Sequence, residues 1–179
     1  MKNATRKITY AAMIAALYAA LTLILQPLSF SNVQFRVSEA LTILPTLTAD
    51  AIPGLSIGCL LANWIAGALA TLLGAFLTYK TRKNPLAASL MPVLTNGLIT
   101  GPVVYFGYVW KAGTPILWGA LAGTMASVAG GELVVCVVLG TLIALGGPEV
   151  IKWTNRFLVT ALLGVGLIIV VLCFVSVPL

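Results

Sequence analysis

Glu132 stands in the stretch Gly130-Gly131-Glu132-Leu133-Val134, with apolar residues for many positions on either side. Asn96, followed by Gly97, has a similar setting within residues 86–110. Ahead of both, "QFRVSEALTILP" puts Arg36 and Glu39 three residues apart, a spacing that shares one helix face, with Gln34 beside them. These are the groups with chemistry to offer. A carboxylate and an amide inside an apolar run can hydrogen-bond the edge of a polar ligand. Arg36 and Glu39 can form one wall of such a site, or an interfacial salt bridge of small worth. Catalysis has little to work with, because the chain has no histidine. Cys59, Cys136 and Cys173 lie in apolar runs without metal-ligand spacing and read as small packing residues. No nucleophile–base pair and no metal set can be assembled, so the expectation is a non-enzyme with no metal and no cofactor.

The elements that must position these groups follow from composition. Of 179 residues, 60% are hydrophobic and 8% charged, with mean hydropathy +1.09. Soluble domains carry about a quarter charged residues, and these apolar runs reach the ~20 residues that cross a hydrocarbon core. They do not alternate as barrel strands would. The chain therefore reads as an all-α integral membrane protein. In that solvent an ionisable side chain costs about 2.5–3.5 kcal/mol to insert, which makes Glu132 a site candidate; the bland alternative is an interhelical hydrogen bond with Asn96. Lys2, Arg6 and Lys7 precede a first apolar segment that lacks a cleavage site followed by a polar mature chain, so it reads as a retained helix.

The net charge of +6 is grouped. Lys2, Arg6 and Lys7, then Lys80, Arg82 and Lys83, then Lys152 and Arg156 mark cytoplasmic ends by the positive-inside rule. A multi-pass protein of a bacterial cytoplasmic membrane is expected, with its N-terminus inside. Breaks at Gln26-Pro27, Pro45, Asp50 to Gly54, and Asn63 to Gly67 suggest helices over 8–25, 36–48, 52–64 and 66–79, the last three short for a full crossing. A single crossing over 55–79 with a re-entrant 36–50 has the same parity. Longer helices follow over 86–110 and 115–145. This gives a six-helix membrane domain over residues 1–150. Residues 151–179 supply a cytoplasmic turn and a further C-terminal apolar helix over 157–177. Parity puts Asp50 at a cytoplasmic hairpin, where helix capping or solvation accounts for it. In "AAMIAALYAAL", alanines four apart (Ala12, Ala16, Ala20) form a small-residue strip suited either to internal packing or to a partner membrane subunit.

"QFRVSEALTILP", supported in order by "AIPGLSIGCLLAN", "GALATLLGAFLTY", "PVLTNGLITG" and "GGELVVCVVLG", resembles the QueT family of substrate-binding S components of energy-coupling factor (ECF) transporters. The resemblance covers most of residues 8–147 and implies a six-helix S-component bundle. It also implies capture of queuosine precursors, 7-deazaguanine bases such as queuine. Release would be driven by an ECF module of one transmembrane coupling subunit and two ATPases, to which the alanine strip would dock. Glu132 would then accept from the ring N–H and exocyclic amine of the base and Asn96 would donate to its carbonyl or accept from another edge, with Tyr105, Trp110 or Trp118 stacking on it. No GxxxxGK[ST] phosphate loop occurs, so ATP would be handled by the partners. The connection Asn63 to Gly67 departs from the family pattern in being abrupt and lacking an acid. Two other readings remain: an S component for a different ligand such as a vitamin, and a membrane assembly protein whose polar residues are packing glue.

Overall fold

The computed structural model describes residues 2–29 and 34–145, all within one compact unit. The run 157–177, expected as a further helix, lies outside the described residues, as do Lys152 and Arg156. Helix α1 (Lys2–Ile24) is followed by a single turn, α2 (Gln26–Ser29). A 3-10 helix, Val37–Thr46, leads to α3 (Ala51–Ala62) and α4 (Ile65–Lys80). One continuous 25-residue rod, Pro85–Val109, contains α5 (Pro85–Thr95), a π turn Asn96–Thr100, α6 (Gly101–Val104) and a second π turn Tyr105–Val109. The last described rod contains α7 (Trp118–Leu133), a π segment Val134–Leu139 and α8 (Gly140–Leu145). No strand occurs among the described residues. Ala4–Ile24, Pro85–Val109 and Trp118–Leu139 are each long and apolar enough to cross a membrane. With large side chains such as Leu61, Leu69, Phe76 and Leu98 exposed, the protein is an all-α, multi-pass membrane protein whose outer face is made for lipid.

Contacts fix the direction of each segment. Lys7 Nζ is 3.3 Å from Asp50 Oδ1, and Ala11 and Ala15 lie against Gly54 and Gly58, so α1 and α3 run parallel. The 3-10 helix between them runs the other way, with the Thr22 and Ser38 hydroxyls 2.7 Å apart. Thr71 beside Cys59 makes α3 and α4 an antiparallel hairpin. Gly74 against Pro92 and Thr95 pairs α4 with α5 in the same sense, and Gly97 and Gly101 against Ala129 and Met125 pair the two rods. Six segments among the described residues thus alternate in direction. The helix break at Asn63-Trp64 rules out the single crossing over 55–79. It is a tight corner, in which the Asn63 side chain accepts from the Trp64 N–H at 2.9 Å. Asp50 precedes α3 without forming a side-chain cap; its partner is Lys7, so the capping expectation is replaced by an ion pair between two helix ends.

Close packing here depends on missing side chains. A Cβ at Gly54 would lie 2.9 Å from Ile14 Cβ, and one at Gly58 2.7 Å from the Ala15 carbonyl. This Gly-x-x-x-Gly strip therefore lets the α3 backbone rest on α1. The 3-10 helix is enclosed on every side, with Ser38 to Pro45 all buried. Such helices seldom exceed four residues. This one is supported by its own hydroxyls: Thr42 donates to the Glu39 carbonyl at 2.5 Å and Thr46 to that of Ile43 at 2.7 Å.

Pro92 sits inside α5, has no N–H, and so leaves the Ala88 carbonyl four residues back without its helical donor. Thr78 of α4 replaces that donor, its Oγ1 3.0 Å from Ala88 O and fully buried. In a lipid solvent no water can take over the role. Thr78→Val, nearly isosteric but unable to donate, should destabilise the protein by about 1–3 kcal/mol, while Thr78→Ser should retain stability. Thermal unfolding of the detergent-solubilised variants checks this; an unchanged melting temperature for the valine variant would refute the role given to Thr78.

Candidate functional site

The 3-10 helix brings Arg36 and Glu39 from its first turn into the interior, where α1, α4 and the two rods surround them. Arg36 is 1% exposed; Glu39, Asn96 and Glu132 are fully buried. Of the two alternatives for Arg36 and Glu39, the interfacial salt bridge is set aside, because these two charges lie inside the bundle. Arg36 Nη1 is 3.7 Å from Glu39 Oε1, and its Nη2 donates to Gln34 Oε1 at 3.0 Å. Glu39 Oε1 also accepts a short hydrogen bond from the Tyr18 hydroxyl of α1, and the Thr71 hydroxyl of α4 is 3.3 Å away. The single Thr71 proton is shared with Cys59 of α3, whose Sγ is 3.2 Å from the same oxygen.

Glu132 comes from the last full turn of α7, just before the π segment. Its Oε2 accepts from the Cys136 thiol at 3.5 Å, and that sulfur is also 3.6 Å from the Glu39 carbonyl and 3.9 Å from Thr42. Cys136 thus links the two acidic segments. Asn96 opens the first π turn of the other rod, and its Oδ1 accepts from Thr100 at 3.0 Å. Two of the three described π segments, those at 96–100 and 134–139, fall next to one of these polar side chains, as such turns often do at functional sites. Gly131 has a specific purpose. A Cβ there would collide with the Gln34 carbonyl, so only glycine lets the segment before Arg36 cross over the turn that carries Glu132.

What these residues leave unpaired is as telling as what they bond. Among the described residues, Arg36 Nε and Nη1, Asn96 Nδ2, Glu39 Oε2 and Glu132 Oε1 are buried without a hydrogen-bond partner. An orphaned buried polar atom costs about 1–3 kcal/mol, and these come as a set of N–H donors and carboxylate acceptors. The Asn96–Glu132 bond that packing glue would require is not formed.

Of the sequence-singled residues, Gln34, Arg36 and Glu39 are bonded together, and the Cys136 thiol links Glu132 to the Glu39 backbone carbonyl. Of the three candidate aromatics, Tyr105 alone is buried, with its hydroxyl accepting from the Leu117 N–H at 2.9 Å; Trp118 is 73% exposed. The alanine strip divides. Ala11 and Ala15 are taken up by α3, while Ala12 faces outward with Ala16 and Ala20 half-buried beside it. Sequence reasoning missed Tyr18, Thr71, Cys59 and Cys136. Tyr18 is the only polar side chain in its alanine-rich stretch, and that was the available signal. An open cleft of about 650 Å³, bordered by Gln26, Asn63, Trp64 and Tyr108, is lined by none of the cluster residues.

Searches of curated proteins and of solved structures each find no match. The family model described as QueT transporter matches residues 8–146, which include every member of the polar cluster. With that match spanning most of its length, the chain belongs to the QueT transporter family.

Proposed function

We propose that this membrane protein is the substrate-binding S component of an ECF-type importer, and that the cluster of Arg36, Glu39, Asn96 and Glu132 grips a 7-deazaguanine base such as queuine. One observation supports this most: three separate segments each leave buried donors or acceptors unpaired, and Arg36, Glu39 and Glu132 are linked through a salt bridge and the Cys136 thiol. A guanine-like edge presents a carbonyl beside a ring N–H and an exocyclic amine. Asn96 Nδ2 is a free donor for the first, and Glu132 Oε1 a free acceptor for the others. Gln34 holds the Arg36 guanidinium, and Tyr18 holds Glu39, so neither charge has to be positioned by the ligand. Of the three aromatics singled out from the sequence, Tyr105 is the buried one and is the stacking candidate in this reading. Binding a flat heterocycle needs no catalytic group, and transport energy would come from the partner ATPases.

Charge supports an orientation in the membrane. Lys2, Arg6, Lys7, Lys80, Arg82 and Lys83 gather at the end where Lys7 meets Asp50, whereas Lys111 lies at the other. Cations at the first end are anchored over aromatic rings, Arg82 on Tyr79 at 4.2 Å and Lys80 on Phe76 at 5.4 Å. That end is cytoplasmic in this reading, and the N-terminus is inside. The outward strip of Ala12, Ala16 and Ala20 is the docking face for the transmembrane coupling subunit.

Ligand binding should raise the melting temperature of the purified protein, by an amount that grows with the logarithm of ligand concentration above Kd. Glu132→Gln should weaken binding of the base about 10- to 100-fold through loss of a charged acceptor. Titration with queuine alongside a vitamin panel checks both, and tighter binding of a vitamin would favour the alternative ligand class. Ala12→Leu should abolish co-purification with the coupling subunit and ATPases while leaving base binding intact; retained co-purification would remove the strip from the docking face. With Cys173 replaced by Ser, an impermeant maleimide on intact cells should label Lys111→Cys but leave Lys83→Cys unlabelled until lysis. The reverse pattern would invert the topology.

A further inference from the structure

The proposed base site contains one guanidinium and two carboxylates, and they do not balance. Arg36, Glu39 and Glu132 are all fully or almost fully buried, so solvent does not screen the surplus negative charge. The other titratable groups facing the cluster are Tyr18 from α1, Cys59 from α3 and Cys136 from the last rod; none carries a positive charge in any protonation state. From α4 the neighbour is Thr71, and the buried polar side chain of the first rod is Asn96; neither titrates. Among the described residues, the remaining cations and Asp50 are at the two ends of the bundle. The two carboxylates each keep one oxygen without a hydrogen-bond donor, Glu39 Oε2 and Glu132 Oε1. The compensating positive charge therefore has to arrive with the ligand or from water as a proton.

We infer that the closed site is electrically neutral: a heterocycle bearing one ammonium group completes it, whereas an uncharged heterocycle is held only with one additional proton on the carboxylate pair. This rests on the proposed base-binding role and deepens it, because it separates ligands of the same ring system by charge. Neither case needs a chemical step. The cationic ligand donates its N–H groups to the free carboxylate oxygens. The neutral ligand leaves one of those oxygens to be protonated from solvent before the site seals.

The test uses the full-length protein in lipid nanodiscs and two probes, 7-aminomethyl-7-deazaguanine and 7-cyano-7-deazaguanine. A primary aliphatic amine stays protonated between pH 6 and 8, and the nitrile is neutral throughout. Linkage then requires the two complexes to differ by one bound proton. The ratio of their dissociation constants, neutral over cationic, should rise about tenfold per pH unit across this range. The sign follows from mass action, since raising the pH removes the proton that only the neutral complex needs. Isothermal titration at several pH values measures the ratio. A ratio that stays constant with pH, with both bases bound, overturns the neutrality inference and leaves the base-binding role standing. Binding of neither base overturns both.

Discussion

A hydrocarbon solvent offers no hydrogen bonds, and that constraint organises this protein. Every backbone or side-chain polar group inside the bundle must find its partner within the chain. The replacement of the missing Pro92 donor by Thr78 is one local answer. The 3-10 helix is another, since its threonines bond their own backbone carbonyls and its whole length is wrapped by other helices. Against that background the unpaired atoms of Arg36, Glu39, Asn96 and Glu132 stand out. A chain that supplies a proxy donor for a single proline has left at least one atom of each of these side chains without a hydrogen-bond partner.

The placement of those side chains depends on thinness. A 3-10 helix is narrower than an α-helix, and glycine at 54, 58 and 131 removes the atoms that would keep neighbouring backbones apart. Arg36 and Glu39 can therefore sit deep within the bundle while α1 and α3 still touch. Tyr18, Thr71 and Cys136 reach them from three different elements, so the position of Glu39 is set by the whole bundle rather than by its own segment. Gly131 joins the two halves of the cluster, because the backbone at Gln34 rests on the turn that presents Glu132.

Much of this was readable from the chain itself. Apolar runs broken by Gln26-Pro27, Asp50 and Asn63 marked where segments could end, because a helix break in lipid needs a turn residue, but over 36–79 they left two parses open that the corner at Asn63-Trp64 decides. Depth in an apolar run singled out Glu132 and Asn96, both of which prove fully buried. Other features were invisible for physical reasons. Whether residues 36–48 form an α- or a 3-10 helix depends on enclosure by neighbours, which periodicity does not record. The π turns at 96–100 and 134–139 are tertiary adjustments with no composition of their own. Arg36 could be read as interfacial because its sequence neighbours are polar, yet the fold draws it inward. Cysteine reads as a small apolar residue, so the thiol of Cys136 beside Glu132 carried no signal.

The α3–α4 hairpin has a mechanical corollary. Its helices have 12 and 16 residues, or about 18 and 24 Å at the usual rise, against the 25-residue rod Pro85–Val109. A bilayer core about 30 Å thick meets such a flank by thinning locally, by snorkelling of flanking side chains or by association with a further protein, and thinning would put elastic strain on the lipids there. Molecules that cover a thinned flank release that strain, so the membrane itself contributes to which side of this protein attracts company.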